Sequence, residues 1–265
     1  MTNRGSNRHD GQIAIVTGST KGIGAGVAKQ LAHEGATVVV NGRSTRTGME
    51  TVKAIRELGG EAIFTEADMR DPTAIEALIE ETADRFGRID VLVNNAGVQT
   101  ETTATEATMD DWEFVLETDF KSFWLCVKHA VKHMPEGSAI VNMSSNHAFL
   151  TMPGLFPYNA VKAGINGMTR ALALELGPLG IRVNTINPGW VEVERTQSEL
   201  SADDRERVED MHPLGRIGKP EDVATTVAFL TSDEASFITG TSLLVDGGRT
   251  AVMQDHSFLE YKQNL

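Results

Sequence analysis

The chain has little cysteine, little positive charge and no long apolar run, and each shortage excludes a class of protein. One cysteine, Cys126, among 265 residues cannot form an intramolecular disulfide and leaves no cysteine cluster for zinc. The formal net charge of −13 argues against sequence-independent binding to nucleic acid or to an anionic membrane, because such binding needs a clustered basic surface. No apolar run approaches the ~18 residues of a membrane span. We therefore expect a cytoplasmic protein with no metal site and with neither a nucleic-acid nor a membrane partner.

The chain reads as one domain with short appendages. Residues 1–10 are polar and lack the apolar segment of a secretory signal, so we expect a flexible N-terminal arm there. Residues 11–265 contain no linker, repeat or low-complexity tract, which favours a single domain. A C-terminal tail over residues 249–265 is expected either to pack on a neighbouring subunit or to stay loose.

Short apolar, β-branched runs alternate with longer stretches of helical periodicity, the pattern of βαβ units around a parallel sheet. Runs of consecutive apolar residues, such as those within 13–16 and 37–40, are expected where helices cover both faces of the sheet. Pro72 and Pro220 predict helix starts. We predict an α/β fold, a Rossmann-type doubly wound parallel sheet of about seven strands with helices on both faces. The predicted strands are Gln12–Thr17, Thr37–Asn41, Glu61–Thr65, Val91–Asn94, Ala139–Met143, Arg182–Ile186 and Ser242–Val245.

One acidic segment departs from this alternation. Residues 190–212 hold eight acidic residues and three arginines, a net charge of −5, and they follow the end of a predicted strand. The segment is long for a connection in such a fold. We expect a substrate lid over about residues 190–218, with a pair of solvated surface helices as the alternative.

A glycine-rich turn joins the first predicted strand to the first predicted helix. Glycine allows a tight turn and a close approach of backbone amides to phosphate, and a helix N-terminus presents its positive end to an anion. In this strand–turn–helix context the turn predicts a nucleotide phosphate site. The residues concerned are Gly18, Ser19, Lys21, Gly22, Ile23 and Gly24.

With Thr17 in front, the spacing of this turn resembles the T-G-x-x-x-G-x-G motif of the short-chain dehydrogenase/reductase family. Further matches cover nearly the whole chain, and the run from Val183 to Gly248 resembles bacterial ketoreductases and sugar-alcohol dehydrogenases. The resemblance implies a homotetrameric oxidoreductase that interconverts a small-molecule ketone or aldehyde and an alcohol by hydride transfer with a nicotinamide cofactor. The matching motifs are Asn94-Asn-Ala-Gly97, Ser145, Tyr158-Asn-Ala-Val-Lys162, Asn187-Pro-Gly189 and Asp246-Gly-Gly248.

The choice of cofactor depends on charge at the adenosine ribose. An acidic residue at the end of the second strand binds the 2′-hydroxyl of NAD, whereas an arginine accommodates the 2′-phosphate of NADP. Here the strand is followed by Arg43 and Ser44, and Lys21 adds a second cation, so we predict NADP(H), with NAD(H) as the alternative. By resemblance, further cofactor-binding residues are Asp68, Met69, Asn95, Ala96, Gly97, Pro188, Gly189 and Val191.

Tyr158 and Lys162 are four residues apart, so on a helix they share one face. A cation beside a tyrosine favours its ionised form, and such a pair can exchange a proton with a substrate oxygen. By resemblance Ser145 binds the reacting oxygen and Lys162 also binds the nicotinamide ribose. Ser144 is the alternative to Ser145.

Two positions depart from the family pattern. Asp119 stands where the family usually has an asparagine that supports a proton relay to the lysine. Aspartate keeps the acceptor oxygens, loses the amide donor and adds a charge near Lys162. Val193 stands where many relatives have a threonine that contacts the carboxamide, and Thr196 could replace it only after a shift in register.

The substrate side is predicted to be a mainly apolar pocket with a few polar groups, as is usual for small molecules. The acidic segment argues against docking of an acidic acyl carrier protein, and no cation could be assigned to an anionic substrate, so neutral ketones, sugars or polyols are favoured. The alternatives are a 3-oxoacyl-thioester reductase and a non-catalytic NADP-binding sensor. The candidate substrate residues are Asn146, His147, Phe156 and Trp190, and for His147 a structural role is the alternative.

Overall fold

The computed structural model describes residues 7–193 and 201–252. Seven parallel strands form one sheet in the order β3-β2-β1-β4-β5-β6-β7. The predicted fold class is confirmed, and each predicted strand is present with ends that differ by at most two residues. The strands are β1 (Ile13–Val16), β2 (Thr37–Gly42), β3 (Glu61–Glu66), β4 (Val91–Asn94), β5 (Ala139–Met143), β6 (Arg182–Pro188) and β7 (Ser242–Val245).

Helices flank this sheet, and two of them begin at prolines as predicted. Proline is favoured in the first helical turn because backbone N–H groups there have no partner within the helix, so the N–H that proline lacks is not needed. Asp71 caps the helix that Pro72 begins, since its carboxylate accepts from the Thr73 backbone N–H at 2.9 Å. The helices are α1 (Gly22–His33), α2 (Thr45–Glu57), α3 (Pro72–Phe86), α4 (Met109–Leu116), α5 (Ser122–Ala130), α6 (Tyr158–Leu176), α7 (Ala202–Asp210) and α8 (Pro220–Thr231).

Two apolar layers cover the two faces of the sheet. In β2, Val38 and Val40 face the layer that includes α1 and α8, and Val39 faces the layer that includes α3, α5 and α6. This alternation is the reason that β2 is apolar at consecutive positions. Cys126 is buried in the second layer, where burial raises the pKa of its thiol to about 12.

The order of the strands determines where a ligand can bind. The chain leaves β1 on one side to form β2 and β3, and on the other side to form β4 to β7. A crevice forms where the strand order reverses in this way, outside the carboxyl ends of the strands. The glycine-rich turn after β1 and the Asn95–Gly97 segment after β4 meet at this crevice.

The N-terminal arm predicted for residues 1–10 is wrong for Arg8 and His9. His9 is fully buried, with Nδ1 3.1 Å from Glu34 Oε2 and Nε2 2.8 Å from Thr231 Oγ1. Arg8 donates two hydrogen bonds to Glu34. His9 is buried and Arg8 partly buried because Glu34, just after α1, and Thr231 of α8 satisfy their hydrogen bonds. Residues 1–6 lie outside the described residues.

The predicted lid and tail are described only in part. Within residues 190–218, α7 begins after Ser201, whose hydroxyl accepts from the Asp204 backbone N–H at 3.2 Å, and Arg205 pairs with Glu192. Residues 194–200, which include Thr196, lie outside the described residues, and so do residues 253–265 of the tail. No helix in the described part of the chain is long and apolar enough to cross a membrane.

Candidate active site

Glycines bring the turn after β1 into contact with the segment after β4. Gly18 and Gly22 have φ of +62° and +57°, a backbone region that favours glycine. A Cβ on Gly18 would lie 2.7 Å from the Ala96 Cα, and one on Gly24 would lie 2.4 Å from the Asn95 Nδ2. Because Gly18 and Gly24 have no side chain, Gly18 packs against the Ala96 backbone and Gly24 against the Asn95 side-chain amide.

Hydrogen bonds from Thr17 and Asn95 hold the two segments together. Thr17 Oγ1 accepts from the backbone N–H groups of Asn95 at 2.9 Å and Ala96 at 3.1 Å. The Asn95 side-chain amide donates to the carbonyl oxygens of Thr17 at 2.9 Å and Gly18 at 3.0 Å. Asn95 therefore positions the glycine-rich turn.

Ser19 is the one residue of the predicted phosphate site that does not face the cleft. It is fully buried, its hydroxyl donates to the Val16 carbonyl oxygen at 2.6 Å, and its backbone N–H donates to the Asn41 carbonyl oxygen at 2.8 Å. Both donors are thus used within the protein, so the assignment of Ser19 to the cofactor is wrong. Thr20 lines the cleft in its place.

The cleft at this point has a volume of about 600 Å³. Of the predicted cofactor residues besides Ser19, six do not line it: Ser44, Tyr158, Lys162, Pro188, Gly189 and Val191. Ser44 lies just before α2, Tyr158 and Lys162 lie in the first turns of α6, and the other three lie at or just after the end of β6. The predicted residues that do line the cleft are Gly18, Lys21, Gly22, Ile23, Gly24, Arg43, Asp68, Met69, Asn95, Ala96 and Gly97.

One end of the cleft, after β2 and β3, is exposed and charged. Arg43 has a side chain 64% exposed, and its Nη1 lies 4.0 Å from Asp68 Oδ2. Arg70 donates to Asp68 at 2.7 Å, and this hydrogen bond holds the pKa of Asp68 below its usual range. Arg70 was not predicted from the sequence, although its position two residues after Asp68 places it in the same loop.

A buried ion pair between Lys162 and Asp119 lies behind the other end of the cleft, where Gly97 and Val98 form the wall. Lys162 Nζ lies 3.0 Å from Asp119 Oδ2 and donates to the Met143 carbonyl oxygen at 3.1 Å. The same Nζ lies 5.5 Å from the centre of the Tyr158 ring. The first turns of α6 therefore bring Tyr158 and Lys162 together, as the spacing predicted.

Asp119 reaches Lys162 from a π-helical turn, Glu117–Lys121, between α4 and α5. Such turns insert a residue into a helix and occur frequently at functional sites. The other carboxylate oxygen of Asp119 accepts from the Val98 backbone N–H at 2.8 Å. A Cβ on Gly97 would lie 2.9 Å from Asp119 Oδ2, so a glycine is needed where the segment after β4 passes the carboxylate.

Burial and charge act in opposite directions on this pair. Burial raises the pKa of the Asp119 carboxyl, and Lys162 opposes this effect. Burial lowers the pKa of the Lys162 ammonium, but the charges of Asp119 and Tyr158 and the hydrogen bond to Asp119 together outweigh burial, so the pKa of Lys162 lies above its usual value. Lys162 is therefore a cation at neutral pH.

The structure distinguishes between the two candidate serines. Ser144 donates its hydroxyl to the Lys162 carbonyl oxygen at 2.8 Å and is therefore used in holding α6. The Ser145 hydroxyl accepts from the His147 backbone N–H at 3.2 Å and lies 3.5 Å from Asn146 Oδ1, a distance at the limit of hydrogen bonding. Ser145 thus keeps a donor for a substrate oxygen.

Two of the four predicted substrate residues, His147 and Phe156, make ring contacts. The His147 ring stands edge-on to the Tyr158 ring, with centroids 6.3 Å apart, and Phe156 packs on Trp112 at 5.6 Å. Burial, and next the charge of Arg249, lower the pKa of His147. Asn146 is buried next to Ser145. Trp190 lines a second cavity, of about 420 Å³, near the end of β7.

Comparison with known proteins identifies the family. The family model described as enoyl-(acyl carrier protein) reductase matches residues 18–250. The chain is 39% identical over 246 residues to 3β-hydroxysteroid dehydrogenase 1 of Eggerthella lenta, covering 91% of this chain and 94% of that protein. This protein belongs to the short-chain dehydrogenase/reductase family.

Two further relatives cover similar lengths of this short-chain dehydrogenase/reductase. Cis-4-hydroxycyclohexanecarboxylate dehydrogenase of Sinomonas cyclohexanicum is 39% identical over 244 residues, 91% of this chain and 97% of that protein. A short-chain dehydrogenase from Burkholderia cenocepacia, solved in complex with NADP, superimposes with a TM-score of 0.86 at 35% identity and covers 91% of this chain and 99% of that one. The protein is therefore an oxidoreductase acting on CH–OH groups, which sets aside the alternative of a non-catalytic sensor.

The residues of the cleft fit the nicotinamide dinucleotide that the family uses. Gly18 and Gly22 leave backbone exposed at the start of α1, where a helix N-terminus favours phosphate. Lys21 and Arg43 supply positive charge, and no acidic residue follows β2 directly. The cleft thus offers anion-binding groups at one end, and the phenol of Tyr158 lies near Lys162 behind the other end.

Proposed function

We propose that this protein is an NADP(H)-dependent oxidoreductase that interconverts a ketone or aldehyde and the corresponding alcohol, with Tyr158 as the acid and base. The observation that carries the proposal is the cluster of Tyr158, Lys162 and Asp119 beside the cleft, with Lys162 Nζ 5.5 Å from the tyrosine ring. Two relatives are named for the oxidation of secondary ring alcohols, which supports this reaction class.

The protein's own residues account for orientation and proton transfer. A nicotinamide dinucleotide, which the glycine-rich turn and Arg43 would hold in the cleft, would supply or accept the hydride. In reduction, Tyr158 gives its phenolic proton to the carbonyl oxygen, and in oxidation it takes the proton of the alcohol. Lys162 stabilises the ionised tyrosine, and the Ser145 hydroxyl donates to the reacting oxygen and orients it.

The preference for NADP(H) over NAD(H) rests on the exposed end of the cleft. Arg43 lies where NAD enzymes carry an acidic residue, and a guanidinium suits a 2′-phosphate because it can donate two hydrogen bonds. Arg70 and Lys21 add to the positive charge there, and Asp68 is already bound by Arg70. The NADP in the Burkholderia cenocepacia relative supports the same choice.

We also propose a homotetramer, because large apolar side chains are exposed at one edge of the sheet and on two helices. Leu243 and Leu244 are exposed on the edge strand β7, and Phe237 before it is fully exposed. Trp124 on α5 and Leu174 on α6 are exposed as well. Light scattering is expected to give four times the chain mass, and a monomer or dimer at all concentrations would contradict the proposal.

The experiment that tests the proposed function is a panel of carbonyls and alcohols assayed with both cofactors. Absorbance of the reduced cofactor is expected to fall with at least one ketone or aldehyde, and faster with NADPH than with NADH. An absence of turnover in both directions would contradict the proposed reaction. Equal rates and equal affinities with the two cofactors would contradict the preference.

A further inference from the structure

The mechanism makes no use of Arg249, a half-buried cation at the substrate side. Arg249 begins a short helical turn, Arg249–Ala251, that follows β7 after three residues. Gly248, with φ of +87°, reverses the chain here, and the Arg249 backbone N–H donates to the Asp246 carbonyl oxygen at 3.1 Å. The position of this arginine is therefore fixed by the backbone of the turn.

The sheet brings this turn to the catalytic side chains. Strands β5, β6 and β7 are neighbours, and they are linked beyond their ends by hydrogen bonds from Ser144 N to Ile186 O at 2.8 Å and from Gly189 N to Val245 O at 3.0 Å. The segments that follow these three strands therefore lie side by side at the carboxyl ends of the strands. The charge of Arg249 acts on His147, whose ring contacts the ring of Tyr158 edge-on.

The Arg249 guanidinium has no partner among the described residues. The other partly or fully buried arginines of that part of the chain have one: Arg8 pairs with Glu34, Arg205 with Glu192, and Arg182 donates to two backbone carbonyl oxygens. Asp246 acts on Arg249 through its charge but is not within ion-pair distance. Its oxygens accept from the backbone N–H groups of Gly248 at 3.0 Å and Thr250 at 2.7 Å.

Leaving a half-buried guanidinium unpaired costs free energy, because its lost hydration is not replaced. A bound anion would remove this cost. Two buried nitrogens at the same edge of the sheet also have no hydrogen-bond partner in the described part of the chain, Trp190 Nε1 and His147 Nδ1. The indole nitrogen can only donate a hydrogen bond, so it suits an acceptor such as a carboxylate oxygen.

We propose that Arg249 binds a carboxylate of the substrate, so that this enzyme acts on hydroxy acids and oxo acids. In oxidation the alcohol carbon loses its hydride to the nicotinamide and the hydroxyl loses its proton to Tyr158, while the carboxylate stays bound to the guanidinium. The inference rests on the proposed function and gives it a substrate class. Sequence analysis favoured neutral substrates because no cation could be assigned, and Arg249 lies 87 residues beyond Lys162 in the chain.

The test compares oxo acids with their methyl esters. Pyruvate, 4-oxopentanoate and 4-oxocyclohexanecarboxylate place the carboxylate at increasing distances from the carbonyl, and each ester keeps the shape but removes the charge. We expect the wild-type enzyme to prefer at least one acid over its ester in kcat/KM. In Arg249→Gln that preference falls by about 10- to 100-fold, the usual effect of losing a charged hydrogen bond.

Arg85→Gln is the matched control, because Arg85 is exposed on α3 and lies outside both the cleft and the predicted lid. It removes the same charge, and we expect it to keep the acid preference. Preference lost in Arg249→Gln and kept in Arg85→Gln supports the proposal. The proposal would be overturned if wild type used each ester as well as its acid. It would also be overturned if the acid preference survived in Arg249→Gln.

Calorimetry separates this inference from the proposed reaction. The oxo acids are titrated into Tyr158→Phe protein in the presence of NADP, and into the double variant that also carries Arg249→Gln. Binding that weakens only when Arg249 is replaced supports the carboxylate site even if no turnover is found in wild type. Equal binding to the two proteins overturns the carboxylate site and leaves the proposed reaction standing if neutral ketones are reduced.

Discussion

An exposed ion pair lies at one end of the cleft, and a buried ion pair lies behind the other end. At the exposed end Arg43 lies 4.0 Å from Asp68, with side chains 64% and 32% exposed. At the buried end Lys162 lies 3.0 Å from Asp119, with side chains 5% and 0% exposed. Water and salt screen the first pair but not the second. Under the proposed function, the exposed pair contributes to recognition of the cofactor and the buried pair holds Lys162 beside Tyr158.

The energetic consequences of the two environments differ accordingly. An exposed pair contributes about 0–1 kcal/mol, whereas removal of one partner from a buried pair costs about 3–5 kcal/mol. Substitutions at the exposed end should therefore change affinity for the cofactor and leave the fold intact. Substitutions at the buried end should change stability and catalysis together.

The largest effect is expected for Lys162→Met. It leaves the carboxylate of Asp119 buried without its partner, so the free energy of unfolding should fall by about 3–5 kcal/mol. Turnover should also be lost, since Tyr158 loses its neighbouring cation. Urea unfolding followed by circular dichroism measures the first effect. Lys53→Met, at a side chain 77% exposed, is the control and should change stability by less than about 1 kcal/mol. If Lys162→Met also changed the free energy of unfolding by less than about 1 kcal/mol, the expected difference between the exposed and the buried ion pair would be contradicted.

A second prediction concerns the pH dependence of Asp119→Asn. Because Asp119 holds the pKa of Lys162 above its usual value, the amide should let the lysine lose its proton at lower pH. The alkaline limb of the pH profile of kcat/KM should therefore move to lower pH, while activity persists at neutral pH.

Glu117→Gln is the control for this measurement, since it removes a negative charge from the same π-helical turn at a side chain 41% exposed. Its alkaline limb should coincide with that of wild type. An unchanged limb in Asp119→Asn would mean that the ion pair does not govern the protonation of Lys162.

The smallest effect is expected at the exposed end, for Arg43→Gln. Loss of one guanidinium–phosphate contact should weaken NADPH binding by about tenfold at low salt and by less at high salt, with NADH binding unchanged. Fluorescence titration measures both dissociation constants. Arg46→Gln, at a side chain 76% exposed on α2, is the control and should alter neither. An equal loss of affinity for NADH would contradict a role at the 2′-phosphate.

Local patterns allowed much of this molecule to be predicted. The strands follow from β-branched runs, and the pairing of Tyr158 with Lys162 follows from helical spacing, because both depend on neighbours in sequence. The contact of Asp119 with Lys162 was expected only by family resemblance.

What escaped prediction depends on long-range contacts or on turns without periodicity. Nothing near His9 in the sequence indicates that Thr231 will be its partner. No local spacing indicates that Ser19 points into the protein and Thr20 into the cleft. Arg249 acquires its neighbours only when β5 and β7 lie in one sheet.

The most direct test of the account is to measure turnover and NADPH binding together in Tyr158→Phe. The phenylalanine keeps the ring against His147 and removes the hydroxyl that carries the proton. We predict that turnover falls by about 10²- to 10⁴-fold, the usual range for a general acid or base, while the dissociation constant of NADPH stays within about twofold of wild type. Turnover retained by Tyr158→Phe would contradict the assignment of Tyr158 as the proton carrier.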